Sequence, residues 1–65
     1  MDETPLEVAQ QRVAEAEARV AEQTARIEDL TRRGHDTKQA KATLAVFETT
    51  LRFMREDLAR VQPQQ

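Results

Sequence analysis

The sequence predicts an all-α protein, an antiparallel two-helix hairpin that dimerises into a four-helix bundle. Gly34 is the only glycine among 65 residues, and it separates two stretches whose interiors contain no proline. Both stretches carry apolar residues at heptad spacing, which is typical of helices that pack along one stripe. We therefore expect one domain, residues 1–65, with helices at about residues 5–33 and 36–62 and frayed ends at residues 1–4 and 63–65.

The first predicted helix has recognisable signals at both ends. Thr4 is a suitable N-cap, Pro5 suits the first helical position, and Glu7 completes a Thr-x-x-Glu capping box. At the other end, Arg33 suits the negative end of the helix dipole, and Gly34 can adopt the left-handed conformation that ends many helices.

The second predicted helix follows directly after the turn. Asp36 is a favourable N-cap, and Gln39 stands three residues later as its capping-box partner. Pro63 cannot continue a helix, so this helix should end near residue 62.

Two apolar seams define how the helices should pack. The seam of the first helix consists of Leu6, Ala9, Val13, Ala16, Val20, Gln23, Ile27 and Leu30. The seam of the second consists of Thr37, Ala40, Leu44, Phe47, Leu51, Met54, Leu58 and Val61. A turn at Gly34 pairs residues whose numbers sum to about 67, so Val20 should face Phe47 and Ala16 should face Leu51.

Charged and polar residues test this register. The same pairing places Glu17 near Arg55 and Arg12 near Asp57. Gln23 is the one polar residue in the middle of a seam, where such a group can set the register or the number of helices at some cost in stability.

Composition limits the function classes. The chain has no cysteine, 10 basic and 12 acidic residues, and a net charge of −2, which does not favour nucleic-acid or anionic-membrane binding. No apolar stretch predicts a signal peptide or a membrane span, so we expect a cytoplasmic protein. Only 38% of the residues are hydrophobic, a thin core that favours self-association, most simply a homodimer.

A second apolar stripe predicts where the copies meet. Val46, Thr50 and Phe53 lie off the seam of the second helix, with Ala42 beside them, and we interpret them as the self-association site. A possible complement is a row of alanines on the first helix, although alanine also simply favours helix. This row consists of Ala14, Ala18, Ala21 and Ala25.

The charged surface is interpreted as self-neutralising. Arg12, Arg19, Arg26 and Arg33 recur every seven residues. Such a row could follow a phosphate backbone, but acidic residues four positions away favour ion pairs within each helix. The expected pairs are Glu15–Arg19, Glu22–Arg26, Glu28–Arg32, Asp29–Arg33, Glu48–Arg52 and Glu56–Arg60.

No motif predicts chemistry. His35 is the only histidine and follows the predicted end of the first helix, where we expect it to pack against Leu30. The chain has neither serine nor cysteine, which removes the usual nucleophiles. We therefore predict that the protein is not an enzyme, and that it has no cofactor and no metal site.

The segment around the turn carries a recognisable pattern. It reads R-I-x-x-L-x-x-x-G-x-D-T-x-x-A and is formed by Arg26, Ile27, Leu30, Gly34, Asp36, Thr37 and Ala40. With Leu44, Phe47, Glu48 and Leu51 downstream, it resembles short alphaproteobacterial proteins, for example from rhizobia, whose function is uncharacterised. The resemblance covers about half of the chain and implies a bacterial origin, but it assigns no catalytic residue.

The function that the sequence favours is an interaction or adaptor module that acts as a homodimer and binds an unidentified protein partner. The alternative is a Rop-like hairpin dimer that binds RNA. In that case basic residues of the second helix would gather on one face of the dimer: Lys38, Lys41, Arg52 and Arg55.

Overall fold

The computed structural model describes residues 3–62, which form two helices packed against each other as a hairpin. The first, α1, spans Pro5–Arg32, and the second, α2, spans Lys38–Val61. The molecule is a rod with extents of 49 × 22 × 17 Å. The all-helical hairpin predicted from the seams is confirmed. Of the predicted frayed ends, residues 1–2 and 63–65 lie outside the described residues.

The start of α1 follows the prediction. Thr4 is the N-cap, with an extended backbone at φ −74° and ψ 157°, and Pro5 opens the helix. The Glu7 backbone N–H donates to Thr4 Oγ1 at 3.1 Å, and the Thr4 hydroxyl donates to the Glu7 carboxylate at 3.1 Å. The first contact satisfies one of the free N–H groups that every helix start leaves. The Glu7 carboxylate, however, accepts from the Thr4 hydroxyl and not from the Thr4 backbone N–H, so only half of the predicted capping box forms.

The turn ends α1 with a Schellman motif. Gly34 has φ +74°, a left-handed conformation that side chains with a Cβ rarely adopt. The His35 N–H donates to the Leu30 carbonyl at 2.9 Å, and the Gly34 N–H donates to the Thr31 carbonyl at 3.1 Å. The predicted role of Gly34 is confirmed.

The start of α2 differs from the prediction. The helix begins at Lys38 rather than at residue 36, and Thr37 is the residue at its N-cap, without a side-chain capping bond. Asp36 nevertheless makes the capping contact, because its Oδ1 accepts from the Lys38 N–H at 2.9 Å. The Asp36 side chain thus satisfies a free N–H group of the helix start from the residue before the N-cap. The predicted capping box, with Asp36 as the N-cap and Gln39 as its partner, was therefore wrong.

The packed seams match the prediction. Ala9, Ala16 and Leu51 are buried. The other thirteen predicted seam residues are all half-buried, namely Leu6, Val13, Val20, Gln23, Ile27, Leu30, Thr37, Ala40, Leu44, Phe47, Met54, Leu58 and Val61. Only three side chains of residues 3–62 are therefore buried, and even these keep 2% to 8% of their surface exposed.

Two polar contacts between the helices support the predicted register. Gln23 Nε2 donates to the Ala40 carbonyl oxygen at 2.9 Å, and this carbonyl points along α2 toward Leu44, the residue predicted to face Gln23. Arg55 contacts the Glu17 carboxylate at 3.3 Å, as predicted.

The second predicted contact across the helices, between Arg12 and Asp57, does not form. Asp57 instead lies 3.9 Å from Arg60 in its own helix. One turn of helix already brings these two side chains together, so the bond across the hairpin is not needed to pair the carboxylate.

Candidate interaction face

Val46 and Phe53 are exposed on α2, with 62% and 58% of their surface accessible to solvent. Both line a shallow depression together with Ala45, Thr49 and Thr50. The three residues predicted to mediate self-association, Val46, Thr50 and Phe53, therefore share one surface. We call these five residues the α2 patch. A contiguous apolar surface of this kind on a small protein marks a contact site more often than it arises by chance.

A groove adjoins the patch on the line where the two helices meet. It has a volume of about 240 Å³ and is lined by Arg12, Glu15, Ala16, Arg19, Phe47, Thr50 and Met54. We call it the central groove. Ala16 is buried at its base, and Phe47 and Met54 are half-buried. Thr50 lines both the groove and the patch, so the two form one continuous face.

Arginines border this face without acidic partners. Within residues 3–62, neither Arg12 nor Arg19 lies within 4.0 Å of a carboxylate oxygen. The nearby Glu15 accepts a hydrogen bond from Gln11 Nε2 at 3.2 Å instead. The guanidinium groups beside the groove are thus available to a partner.

Most of the predicted ion pairs along the helices do not form. Arg33 contacts Asp29 at 3.2 Å, as expected, but Arg32 contacts the same Asp29 at 3.5 Å rather than Glu28. In the described part of the chain, four other predicted pairs do not come within ion-pair distance, namely Glu15–Arg19, Glu22–Arg26, Glu48–Arg52 and Glu56–Arg60. An exposed ion pair of this kind stabilises a helix by only about 0.2–0.5 kcal/mol. The four-residue spacing alone is therefore not enough to keep the two side chains in contact.

A second groove lies near the turn on the same line between the helices. It has a volume of about 470 Å³ and is more polar, lined by Gln23, Arg26, Leu30, Asp36, Gln39, Ala40 and Thr43. Arg26, the third arginine of the seven-residue row, therefore borders the face formed with Arg12 and Arg19.

The alanine row on α1 occupies a different surface. Ala14, Ala18, Ala21 and Ala25 are all exposed. The central groove is lined on α1 by Arg12, Glu15, Ala16 and Arg19, and by none of these alanines. Within one chain, the groove is the surface of α1 that adjoins the α2 patch, and the role of the alanine row as a complement on a second copy stays a prediction.

On the single hairpin, acidic side chains interrupt the basic residues of the RNA-binding alternative, and the alternative, which gathers basic residues of two copies, stays a prediction. All four are exposed, namely Lys38, Lys41, Arg52 and Arg55. Arg55 is paired with Glu17 at 3.3 Å. Lys41 and Arg52 are separated by about 16 Å along the helix, with Glu48 between them. This arrangement gives a phosphate backbone no continuous row of positive charge to follow.

Within residues 3–62, no three side chains among His, Asp and Glu gather in a group that could hold a metal ion. His35 is exposed in the turn and contributes its backbone N–H to the end of α1. Neither α1 nor α2 combines the length and the apolar character that a membrane crossing demands.

Sequence reasoning found the patch but missed the groove. The heptad pattern assigns the seam residues of the groove to the core, and the seven-residue row assigns Arg12 and Arg19 to a self-neutralised surface. A usable signal was present: Ala16 is a small residue in a seam whose opposite side carries Phe47 and Met54. A small side chain beside large ones leaves space at the edge of a two-helix interface, because no third helix fills it.

In comparisons of this chain with known proteins, no protein-family model, no curated protein sequence and no solved structure matches it. The resemblance to alphaproteobacterial proteins therefore stays a prediction.

Proposed function

We propose that this chain is a helical interaction module of the cytoplasm that acts as a homodimer, with two hairpins forming a four-helix bundle through Val46, Thr50 and Phe53. It has no chemistry of its own. Its dimer presents the outer helix surfaces to another protein, in the manner of an adaptor. The observation that carries this proposal is the amount of surface that the single hairpin leaves exposed.

The accessible surface of the hairpin is larger than that expected for a folded monomer of this mass, which supports association with a second chain. A folded monomer of 7.5 kDa has about 4,200 Å² of accessible surface, whereas this chain has 5359 Å². The excess is about 1,100 Å². A standard protein interface buries about 800 Å² per partner, an area of the same order.

The core supports the same conclusion. Within residues 3–62, only Ala9, Ala16 and Leu51 are buried, and two of them are alanines that bury little apolar area. Chains of this size rarely reach useful stability from one small core and commonly gain the remainder from disulfides, metals or association. This chain has no cysteine, so disulfides are not available to it. A second copy on the exposed apolar face extends the core without any change in fold.

The proposal is tested by the mass of the protein in solution. Sedimentation equilibrium or light scattering should give twice the chain mass for the wild type and a shift toward the single chain mass for Phe53→Glu. A carboxylate at this position must be desolvated if the interface forms. Ala18→Glu adds the same charge to the exposed alanine row of α1 and should remain dimeric.

Circular dichroism on each variant establishes that the hairpin is still helical. A wild type that is monomeric at all accessible concentrations contradicts the proposal. So does a dimer that Ala18→Glu dissociates and Phe53→Glu does not, because the interface would then lie on the alanine row.

A further inference from the structure

We propose that the two halves of the dimer interface are a knob and a socket on the same chain: Phe53 of each copy inserts into the central groove of the other. This inference rests on the proposed homodimer and names the contact that forms it. It assigns a function to the groove residues, of which the self-association site of Val46, Thr50 and Phe53 includes only Thr50.

The knob and the socket lie at the same level of the rod. Phe53 lies between Thr50 and Met54 in sequence, and both of these line the groove. Arg55, two residues further along α2, contacts Glu17 of α1, within the stretch from Arg12 to Arg19 that borders the groove. A two-fold axis at this level therefore brings each Phe53 to the partner's groove without sliding one rod along the other.

The chemistry of the groove suits an aromatic side chain. Its base is formed by the buried Ala16, with half-buried Phe47 and Met54 beside it, so an inserted ring meets apolar atoms, sulfur and another ring. Arg12 and Arg19 border the groove without acidic partners in the described residues. A guanidinium group beside an aromatic ring is favourable, and shielding from water strengthens the interaction.

Symmetry and area favour a second copy as the occupant. A closed two-fold dimer requires that one surface carry both complementary halves, and the patch and the groove meet at Thr50. Each contact then forms twice. The excess surface of about 1,100 Å² per chain is of the order of one standard interface, so a single second copy is enough to cover it.

Photo-crosslinking tests where Phe53 lies in the dimer. The Phe53→p-benzoylphenylalanine variant keeps an aromatic knob and reacts with neighbouring C–H groups on illumination. Mixing chains labelled with nitrogen-14 and nitrogen-15 identifies, by mass spectrometry, the crosslinks that join different copies. We expect these crosslinks to reach residues 12–19 of the partner's α1. The matched Ala18→p-benzoylphenylalanine variant should give none between copies.

The outcomes separate this inference from the proposed function. A dimer whose crosslinks from position 53 reach only the partner's α2 patch overturns the knob and socket but retains the homodimer. A wild type that stays monomeric by light scattering overturns both.

A second measurement addresses the arginines. Arg19→Ala should raise the dimer dissociation constant about fivefold or more, because the contact with the ring is lost at two symmetric sites. Arg52→Ala removes another exposed arginine, one that lines neither the central groove nor the α2 patch, and should leave the constant unchanged. Equal effects of the two substitutions would contradict the assigned position of Phe53.

Discussion

Gly34 is the residue at which the chain reverses direction. Its φ of +74° is accessible to glycine at little cost, whereas a residue with a Cβ pays about 1 kcal/mol or more for it. Apart from Gly34 and its two chain neighbours, no heavy atom of the described residues lies within 4 Å of the position that a Cβ would take. The cost of substitution therefore comes from the backbone conformation and not from a steric clash.

We therefore predict that Gly34→Ala lowers the free energy of unfolding by about 1 kcal/mol, and that Gly34→Asn lowers it by less, because asparagine tolerates the left-handed conformation better. Urea unfolding followed by circular dichroism at one fixed protein concentration measures both. An alanine variant as stable as the wild type would show that another residue can supply the turn.

Gln23 illustrates how a polar residue can fit in an apolar seam. Its amide donates to the Ala40 carbonyl at 2.9 Å, and no described, buried side-chain polar atom lacks a hydrogen-bond partner. The bond reaches from one helix to the backbone of the other, so it forms only when the two helices align near the observed register. An apolar residue at this position would pack equally well in several registers, which is the usual reason for a polar group in a helical seam.

At the scale of the elements, each helix begins with a side chain that accepts a backbone hydrogen bond. Thr4 does this for α1 from the N-cap itself, and Asp36 does it for α2 from one residue further out. Thr37, although it occupies the N-cap of α2, makes no capping bond with its hydroxyl. The stability of the α2 start should therefore depend on Asp36 and not on Thr37.

We predict that Asp36→Ala lowers the free energy of unfolding by about 1 kcal/mol, the usual cost of a lost cap. Thr37→Val keeps the shape of the half-buried side chain but removes its hydroxyl, and it should cost much less. Thermal or urea unfolding of the two variants makes the comparison. A larger loss for Thr37→Val would mean that the capping role belongs to Thr37.

The helices and their register could be predicted because several independent signals agree at the same residues. Thr4 and Gly34 bound α1, the heptad positions select one face of each helix, and the lone glycine fixes which residues meet. The start of α2 could not be located as well, because Asp36 and Thr37 are both good capping residues and their spacing alone does not choose between them.

The arginines show where prediction from spacing ends. Glu15–Arg19 and Glu22–Arg26 have the same four-residue spacing as Asp29–Arg33, yet only the last forms an ion pair in residues 3–62. Exposed pairs gain little free energy and lose side-chain entropy, so their geometry depends on neighbours that a linear pattern does not contain. The central groove could not be predicted for a comparable reason. Its lining residues can be read from the sequence, but the volume between them depends on how the side chains pack at the seam.

At the scale of the whole molecule, the hairpin is a rod 49 Å long whose two helices cover only one stripe of each other. Val46 and Phe53 lie on the face that the central groove also occupies, and the apolar surface of α2 runs from the seam to these residues through Thr50. A single folded hairpin thus leaves apolar surface exposed to water, and a second folded hairpin can cover it. Stability and association should be coupled for this reason.

This coupling predicts that the melting temperature depends on protein concentration. When unfolding separates two chains, a tenfold rise in concentration stabilises the folded dimer, and for a chain of this size the melting temperature should rise by about 3 to 5 °C. Circular dichroism melts from micromolar to hundred-micromolar protein measure the shift.

Phe53→Glu supplies the decisive comparison, because it removes the knob and should abolish the concentration dependence while lowering the melting temperature at high concentration. Arg52→Glu changes an exposed charge that lines neither the central groove nor the α2 patch, and it should retain the full shift. A melting temperature of the wild type that stays constant across this concentration range would mean that each hairpin folds alone. The exposed surface of α2 would then need an explanation other than a second copy of the chain.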